Sequence, residues 1–225
     1  MAKWKRALSN VFLGIALGLL SYYALTTGMG WLGQQQLREE VGDVPVFRAD
    51  DPTDTLEPPA EDPFDWEGWE TEDRAYWEGL TPGNGVFGRI VIPEIGLDTL
   101  VRPGITGAEL RRGPGWIDWT QLPGPEGTAG IAGHRTTYGA PFRRLDELVP
   151  GDTIDVYSPY RRYRYEVTRT LVVRPDEIYV VEPGDEPMLT LTACHPPYSA
   201  RYRLAVQAKL VEVRRIDSER EAGSQ

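Results

Sequence analysis

The sequence predicts a mostly β domain, a closed or nearly closed barrel of seven or eight short strands with one small helix, behind an N-terminal membrane-spanning helix. Three observations point to it. From Phe87 onward, segments rich in β-branched and aromatic residues show period-two alternation. Turn signals separate them at Pro103-Gly104, Pro123-Gly124-Pro125, Pro150-Gly151-Asp152 and Pro183-Gly184-Asp185. An uncharged run from Ala7 to Leu37 follows a basic start of Lys3, Lys5 and Arg6.

The first element is the apolar run. Val11–Leu32 is 22 residues long, and about 20 apolar residues cross a bilayer as a helix. The basic residues 1–10 orient that end toward the cytoplasm. Tyr22, Tyr23 and Trp31 stand where an interfacial belt is expected. A cleaved signal peptide is the competing reading, since Val11–Leu20 suits a signal core. No Ala-x-Ala site follows it, so an uncleaved anchor with an extracytoplasmic domain is expected.

Residues 33–82 read as an acidic linker. The chain carries a net charge of −10, and the acidity belongs to this stretch rather than to the domain after it. Pro45, Pro52, Pro58, Pro59 and Pro63 interrupt any regular element, and self-repelling charge extends such a segment. Trp66, Trp69, Tyr76 and Trp77 do not suit a plain spacer. Two readings stand for them: a solvated tail, or a short helix docked on the domain or on a partner.

The folded domain is expected over 83–215, with a polar tail at 216–225. Phe87–Val101 reads as two strands broken at Pro93, and Thr128–Gly133 as a small-residue strand. Thr153–Tyr157, Tyr163–Arg174, Met188–Cys194 and Tyr202–Val213 alternate as strands. Pro141–Leu148 reads as the small helix, with Phe142, Leu145 and Leu148 spaced by three. At 225 residues there is room for one such domain plus appendages. No basic stripe or motif indicates a nucleic-acid partner.

The chain has one cysteine, so it forms no internal disulfide. On composition alone, Cys194 reads as a small buried hydrophobe. Its setting changes that. In Met188–Cys194, Leu189 and Leu191 fall on one face, and Thr190, Thr192 and Cys194 on the other. Pro196 and Pro197 then stop the ladder. A strand terminus is rigidly held yet reachable, and a thiol attacking as thiolate needs a nearby base or cation. His195 adjoins it and points to the opposite face. His134 follows another strand, which a barrel can bring close. Arg201 and Arg203 follow the turn at Ser199-Ala200. If their strand runs antiparallel to the cysteine strand, either guanidinium can stabilise a developing oxyanion.

Thr190-Leu-Thr-Ala-Cys-His-Pro, Ser199-Ala-Arg-Tyr-Arg and Ala132-Gly-His-Arg-Thr-Thr-Tyr-Gly-Ala-Pro-Phe together resemble the sortases, most closely the class E group of actinobacteria. Ile92-Pro-Glu-Ile-Gly-Leu and Leu145-Asp-Glu-Leu-Val-Pro-Gly-Asp also resemble sortase barrel segments. The resemblance covers about residues 86–213 in register. It implies an eight-stranded sortase barrel with His134 and Cys194 catalytic. It assigns the arginine to Arg203, nine residues after the cysteine, rather than Arg201. Arg201, Thr192, Tyr138 and Ser199 are implied as supporting or substrate-binding residues, and the loops around His134 and Arg161–Arg164 as walls of the groove. The implied reaction cleaves the Thr–Gly bond of a C-terminal sorting signal, of Leu-Ala-x-Thr-Gly or Leu-Pro-x-Thr-Gly type, through a thioester. The protein is then transferred to an amine of a lipid II-type peptidoglycan precursor. The implied partners are exported proteins, that precursor and the membrane, and no metal or organic cofactor is required. A pilin-polymerising role, hydrolysis of the thioester and a non-catalytic sortase-like surface module are the alternatives. The chain departs from many relatives at Ala193, where they carry Thr, and at Gly115–Pro123, where they often read Gly-His-Tyr-Pro.

Overall fold

The computed structural model describes residues 2–42, 44, 47 and 62–216, so most of the middle of the expected linker and nearly all of the expected tail lie outside the described residues. One long helix, α1 (Ala2–Glu40), precedes eight strands: β1 (Gly88–Ile92), β2 (Leu97–Pro103), β3 (Gly115–Trp116), β4 (Thr128–Ala132), β5 (Thr153–Tyr157), β6 (Arg161–Val173), β7 (Met188–His195) and β8 (Tyr202–Arg215). They close in the order β1-β2-β3-β4-β7-β8-β6-β5. Neighbours pair antiparallel except β2 with β3 and β4 with β7. Closure limits the open sheet edge to the stretch where β3 pairs over only two residues with each neighbour.

Alternation sorts the side chains. Leu189, Leu191 and Ala193 of β7 point into the barrel core with Ala129 and Ile131 of β4 and Leu204, Val206 and Ala208 of β8. Thr190, Thr192 and Cys194 therefore lie on the outer face, as the pattern predicted. A second apolar cluster forms outside, where Ile117, Val173, Val180, Val181 and Ala205 pack together. The segment between β6 and β7 is pinned across this face at the Val180 carbonyl, which accepts from Thr190 Oγ1 (2.6 Å) and Gln207 Nε2 (3.0 Å).

Pro141–Leu148 is not a regular helix. It consists of turns with a single 3₁₀ turn at Leu145–Glu147, while Phe142, Leu145 and Leu148 are all buried. A spacing of three matches the 3₁₀ repeat rather than the α repeat of 3.6. The two-residue β3 escaped the sequence reading because alternation cannot register over so short a strand.

The linker differs more. Helix α1 runs on to Glu40, eight residues beyond the expected end at Leu32. Gln34–Glu40 contains only good helix formers, and no proline occurs before Pro45. Residues 62–80 are not an extended spacer either. They dock as turns and a short helical stretch, Glu70–Glu78, whose aromatics cap one end of the barrel. Trp77 is fully buried, stacked on Phe87 at 5.3 Å, and donates its indole N–H to the Phe87 carbonyl at 2.7 Å. Trp69 donates to the Pro123 carbonyl at 3.2 Å. The charges are used as well. Asp73 and Arg161, both completely buried, form an ion pair, with Glu72 on the same guanidinium at 2.8 Å and Ser158 donating to Asp73. A buried ion pair adds little net stability, but losing one partner strands the other's charge.

Two stability predictions follow from this cap. In urea denaturation of the full chain, Trp77→Ala is expected to cost about 3–5 kcal/mol through the lost packing and the cavity left behind. The exposed Glu78→Ala is expected to stay within about 0.5 kcal/mol of the unsubstituted protein. Asp73→Ala is expected to cost about 3 kcal/mol, because Arg161 stays buried with less compensation.

Candidate active site

The site forms where β4, β7 and β8 end side by side. Cys194 and Arg203 are direct partners in the antiparallel β7–β8 ladder. Residues directly opposite across such a pair share a face, so the guanidinium stem and the thiol both rise from the outer surface. Arg203 Nη1 donates to the carbonyls of Ala200 and Tyr202, each at 3.1 Å, which ties the cation to the turn before β8. Arg201 precedes β8 and is exposed, with its guanidinium 5.3 Å from the Tyr202 ring centre. It has no cross-strand partner on β7.

The parallel β4–β7 ladder places the histidine. Ala132 is level with Thr192, and the Gly133 N–H donates to the Thr192 carbonyl at 3.0 Å. Carried two residues further along both chains, past the end of β4, the same register sets His134 toward Cys194. Gly133 faces the core, where a Cβ would run into the Phe142 ring, so His134 takes the outer face. The chain is then held by the Phe142 N–H donating to the His134 carbonyl at 3.0 Å. Thus Cys194 and Arg203 share the outer face of β7 and β8, and His134 lies two residues past the end of the neighbouring β4.

His134 is half-buried, its ring centre 5.0 Å from that of Tyr138. Desolvation pushes its pKa below the usual imidazole value, and the positive charge of Arg111 pushes the same way. The imidazole is therefore neutral at pH 7, able to accept a proton.

His195 pairs with Tyr202 in the ladder, and its Nδ1 lies 2.8 Å from Arg135 Nη1. A guanidinium only donates, so Nδ1 accepts and His195 is engaged away from the thiol. Arg135 is in turn paired with Asp146 at 2.7 Å. Sequence reading missed this chain and the Arg111 charge. Arg135 adjoins His134 in a quoted motif, but its partner is 60 residues distant.

Among the supporting residues, Thr192 carries the carbonyl that receives Gly133. Ser199 Oγ accepts from the Arg201 N–H at 3.2 Å and shapes the turn. Tyr138 packs beside His134. The expected groove wall at Arg161–Arg164 is a correction. Val173 pairs with Arg203 at the site's end of β6, whereas Arg161 pairs with Arg215 at the other. At roughly 3.3 Å per residue they are about 40 Å apart, and Arg161 serves the aromatic cap instead. Half-buried Ala132 and Leu171 lie in the cross-strand row of Thr192, two residues before Cys194, and with Ile105 they pack against the outer apolar cluster. A hydroxyl at position 193 would point into the core, since Ala193 is an inward residue.

Known proteins share this fold. Residues 90–211 match the family described as the Sortase domain. Sortase SrtE1 of Streptomyces coelicolor is 37% identical over 97 residues, 39% of this chain and 28% of its own length. Sortase A of Bacillus anthracis is 32% identical over 127 residues, 56% of this chain and 60% of its own. The chain therefore spans between about a quarter and three-fifths of these relatives. The crystal structure of sortase E1 from S. coelicolor, with a tripeptide in its active site, aligns with a TM-score of 0.56 at 31% identity, covering 62% of this chain and 94% of that one. A sortase from Corynebacterium diphtheriae aligns with a TM-score of 0.58 at 27% identity, covering 62% and 92%. The family match spans more than half of the chain, over the same barrel and strand ends that hold Cys194: the protein belongs to the sortase family.

Proposed function

We propose that the chain is a membrane-anchored cysteine transpeptidase that cleaves a C-terminal sorting signal and transfers the acyl product to an amine. The observation that carries this reading is the Cys194–Arg203 cross-strand pair with His134 at the end of the neighbouring parallel strand. Family membership supports it.

In this mechanism neutral His134 takes the Cys194 proton, and the thiolate attacks the threonine carbonyl carbon of the signal. Arg203, fixed by its turn, stabilises the oxyanion that develops. As the C–N bond to glycine breaks, the imidazolium returns its proton to the departing amine, leaving a thioester on Sγ. An incoming amine attacks the thioester, His134 accepts its proton, and the thiol is restored. The apolar row of Ala132 and Leu171, level with Thr192, suits an extended peptide of Leu-Ala-x-Thr-Gly or Leu-Pro-x-Thr-Gly type. The amine of a lipid II-type peptidoglycan precursor is the proposed acceptor.

Helix α1 is the one helix among the described residues that is long and apolar enough to cross a membrane. Its apolar side chains from Leu8 to Leu25 are exposed all round, and one-sided burial begins at Thr26. This change supports a span ending near Thr26 with the barrel immediately outside.

Turnover of labelled sorting peptides, with and without an amine acceptor and read by mass spectrometry, tests the reading. Cys194→Ala is expected to abolish cleavage; surviving cleavage would overturn it. Arg203→Ala is expected to lower kcat about 10²–10³-fold, and Arg201→Ala less than about threefold, since only Arg203 faces Cys194 across the ladder. Equal losses would remove Arg203 from its role. Arg111→Gln removes a positive charge that opposes protonation of His134. Protonation then becomes easier, the neutral fraction at a given pH falls, and the acid limb of kcat/KM moves to higher pH.

A further inference from the structure

The outer third of α1 does more than lead into the domain. Thr26, Gly30, Gly33, Leu37 and Val41 form one buried stripe along it, at the three- and four-residue spacing of a single helical face. Gly30 and Gly33 let backbone meet backbone. A Cβ on Gly30 would overlap the Tyr138 carbonyl oxygen, and one on Gly33 would come within 2.5 Å of Arg112 Cα. Just after them, Gln34 reads the barrel's main chain. Its Nε2 donates to the carbonyls of Leu100 (3.2 Å) and Arg112 (2.9 Å), and its Oε1 accepts from the Leu100 N–H (2.9 Å). Leu37 is fully buried against Leu100 and Tyr157, and Glu40 pairs with buried Arg102 at 3.6 Å. An anchor that only tethers needs none of these contacts.

Both glycine contacts land on chain that bears on His134. Tyr138 is the ring packed beside the imidazole, and it holds a positive φ of 52°. A non-glycine residue keeps that conformation only when its surroundings impose it. Arg112 follows Arg111, whose charge acts on the same imidazole. The helix thus braces the far side of the loop that must keep His134 level with Cys194.

We propose that α1 is a positioning element of the active site: Gly30, Gly33 and Gln34 hold the Arg111-Arg112 and Tyr138–Pro141 segments, and through them His134, in register with Cys194. This deepens the transpeptidase reading and rests on it for its activity readout. A 1 Å misplacement of a reacting group costs far more in rate than in binding, so the signature is a loss in kcat with little change in KM.

The test uses the full chain in phospholipid nanodiscs and compares Gly30→Leu with Gly28→Leu. Gly28 has nothing within 4 Å of an added Cβ, so it controls for bulk in the same helix. Gly30→Leu is expected to lower kcat by roughly tenfold or more with KM within about twofold. It is also expected to speed amide exchange of Ala140 and Phe142, whose N–H groups close the His134 loop, while β6–β8 amides stay protected. Gly28→Leu should match the unsubstituted protein in every readout. If Gly30→Leu leaves both kcat and loop exchange unchanged, the positioning role is wrong. Should Gly30→Leu unfold the barrel, Gln34→Ala decides by the same readouts, since it removes three hydrogen bonds without adding volume. A protein that turns over no sorting peptide, yet loses loop protection in Gly30→Leu and not in Gly28→Leu, would refute the transpeptidase reading and keep the brace.

Discussion

The parallel pairing of β4 with β7 is the constraint on which the rest of the molecule depends. It closes the barrel between two strands separated by the whole of β5 and β6. A parallel pair cannot be joined by a tight turn, so a long crossover is obligatory. The same ladder sets the level of His134 against Cys194, because the Gly133 N–H continues it past the end of β4. A slip of one residue would turn Ala129, Ile131 and their partners out of the core. The cost of losing that core fixes the chemistry's register.

Period two then divides each strand between two duties. On β7, Leu189, Leu191 and Ala193 hold the core, and the intervening residues face outward toward the site. Cys194, the proposed nucleophile, therefore sits on a regular strand without interrupting its packing. The β7–β8 pairing adds the cation, and Gly133 turns the chain so that the imidazole emerges on the same side. His195, a neighbour in sequence, is held instead by Arg135, itself paired with Asp146. Adjacent residues on a strand point apart, so the nearer histidine in the chain is the more remote from the thiol.

The two segments before the barrel close it from different sides. The acidic-aromatic stretch covers the end of the barrel where Arg161 lies, satisfying that buried guanidinium while its tryptophans shield Phe87 and Tyr163. Among the described residues, this stretch does not reach the end carrying Cys194. Helix α1 instead lies along β2 and the His134 loop, joined through Gln34 and a stripe of small residues. Contacts therefore run from the apolar helix to the chain around the histidine.

The sequence by itself determined the strands long enough to show alternation, the outward face of Cys194, the apolar helix and the three ordered blocks that carry the family resemblance. Each is a local pattern, and local patterns survive without coordinates. Tertiary structure decided what depends on partners distant in the chain. It set Arg203 opposite Cys194, removed Arg161–Arg164 from the groove, and gave His195 to Arg135. It also turned an acidic linker into a cap, because desolvated Asp73 and Trp77 gain partners only when β1 and β6 are already in place. Glycines such as Gly30 and Gly33 read in the sequence as ordinary small residues of an apolar helix. Only the approach of the Tyr138 and Arg112 backbones gives them a purpose.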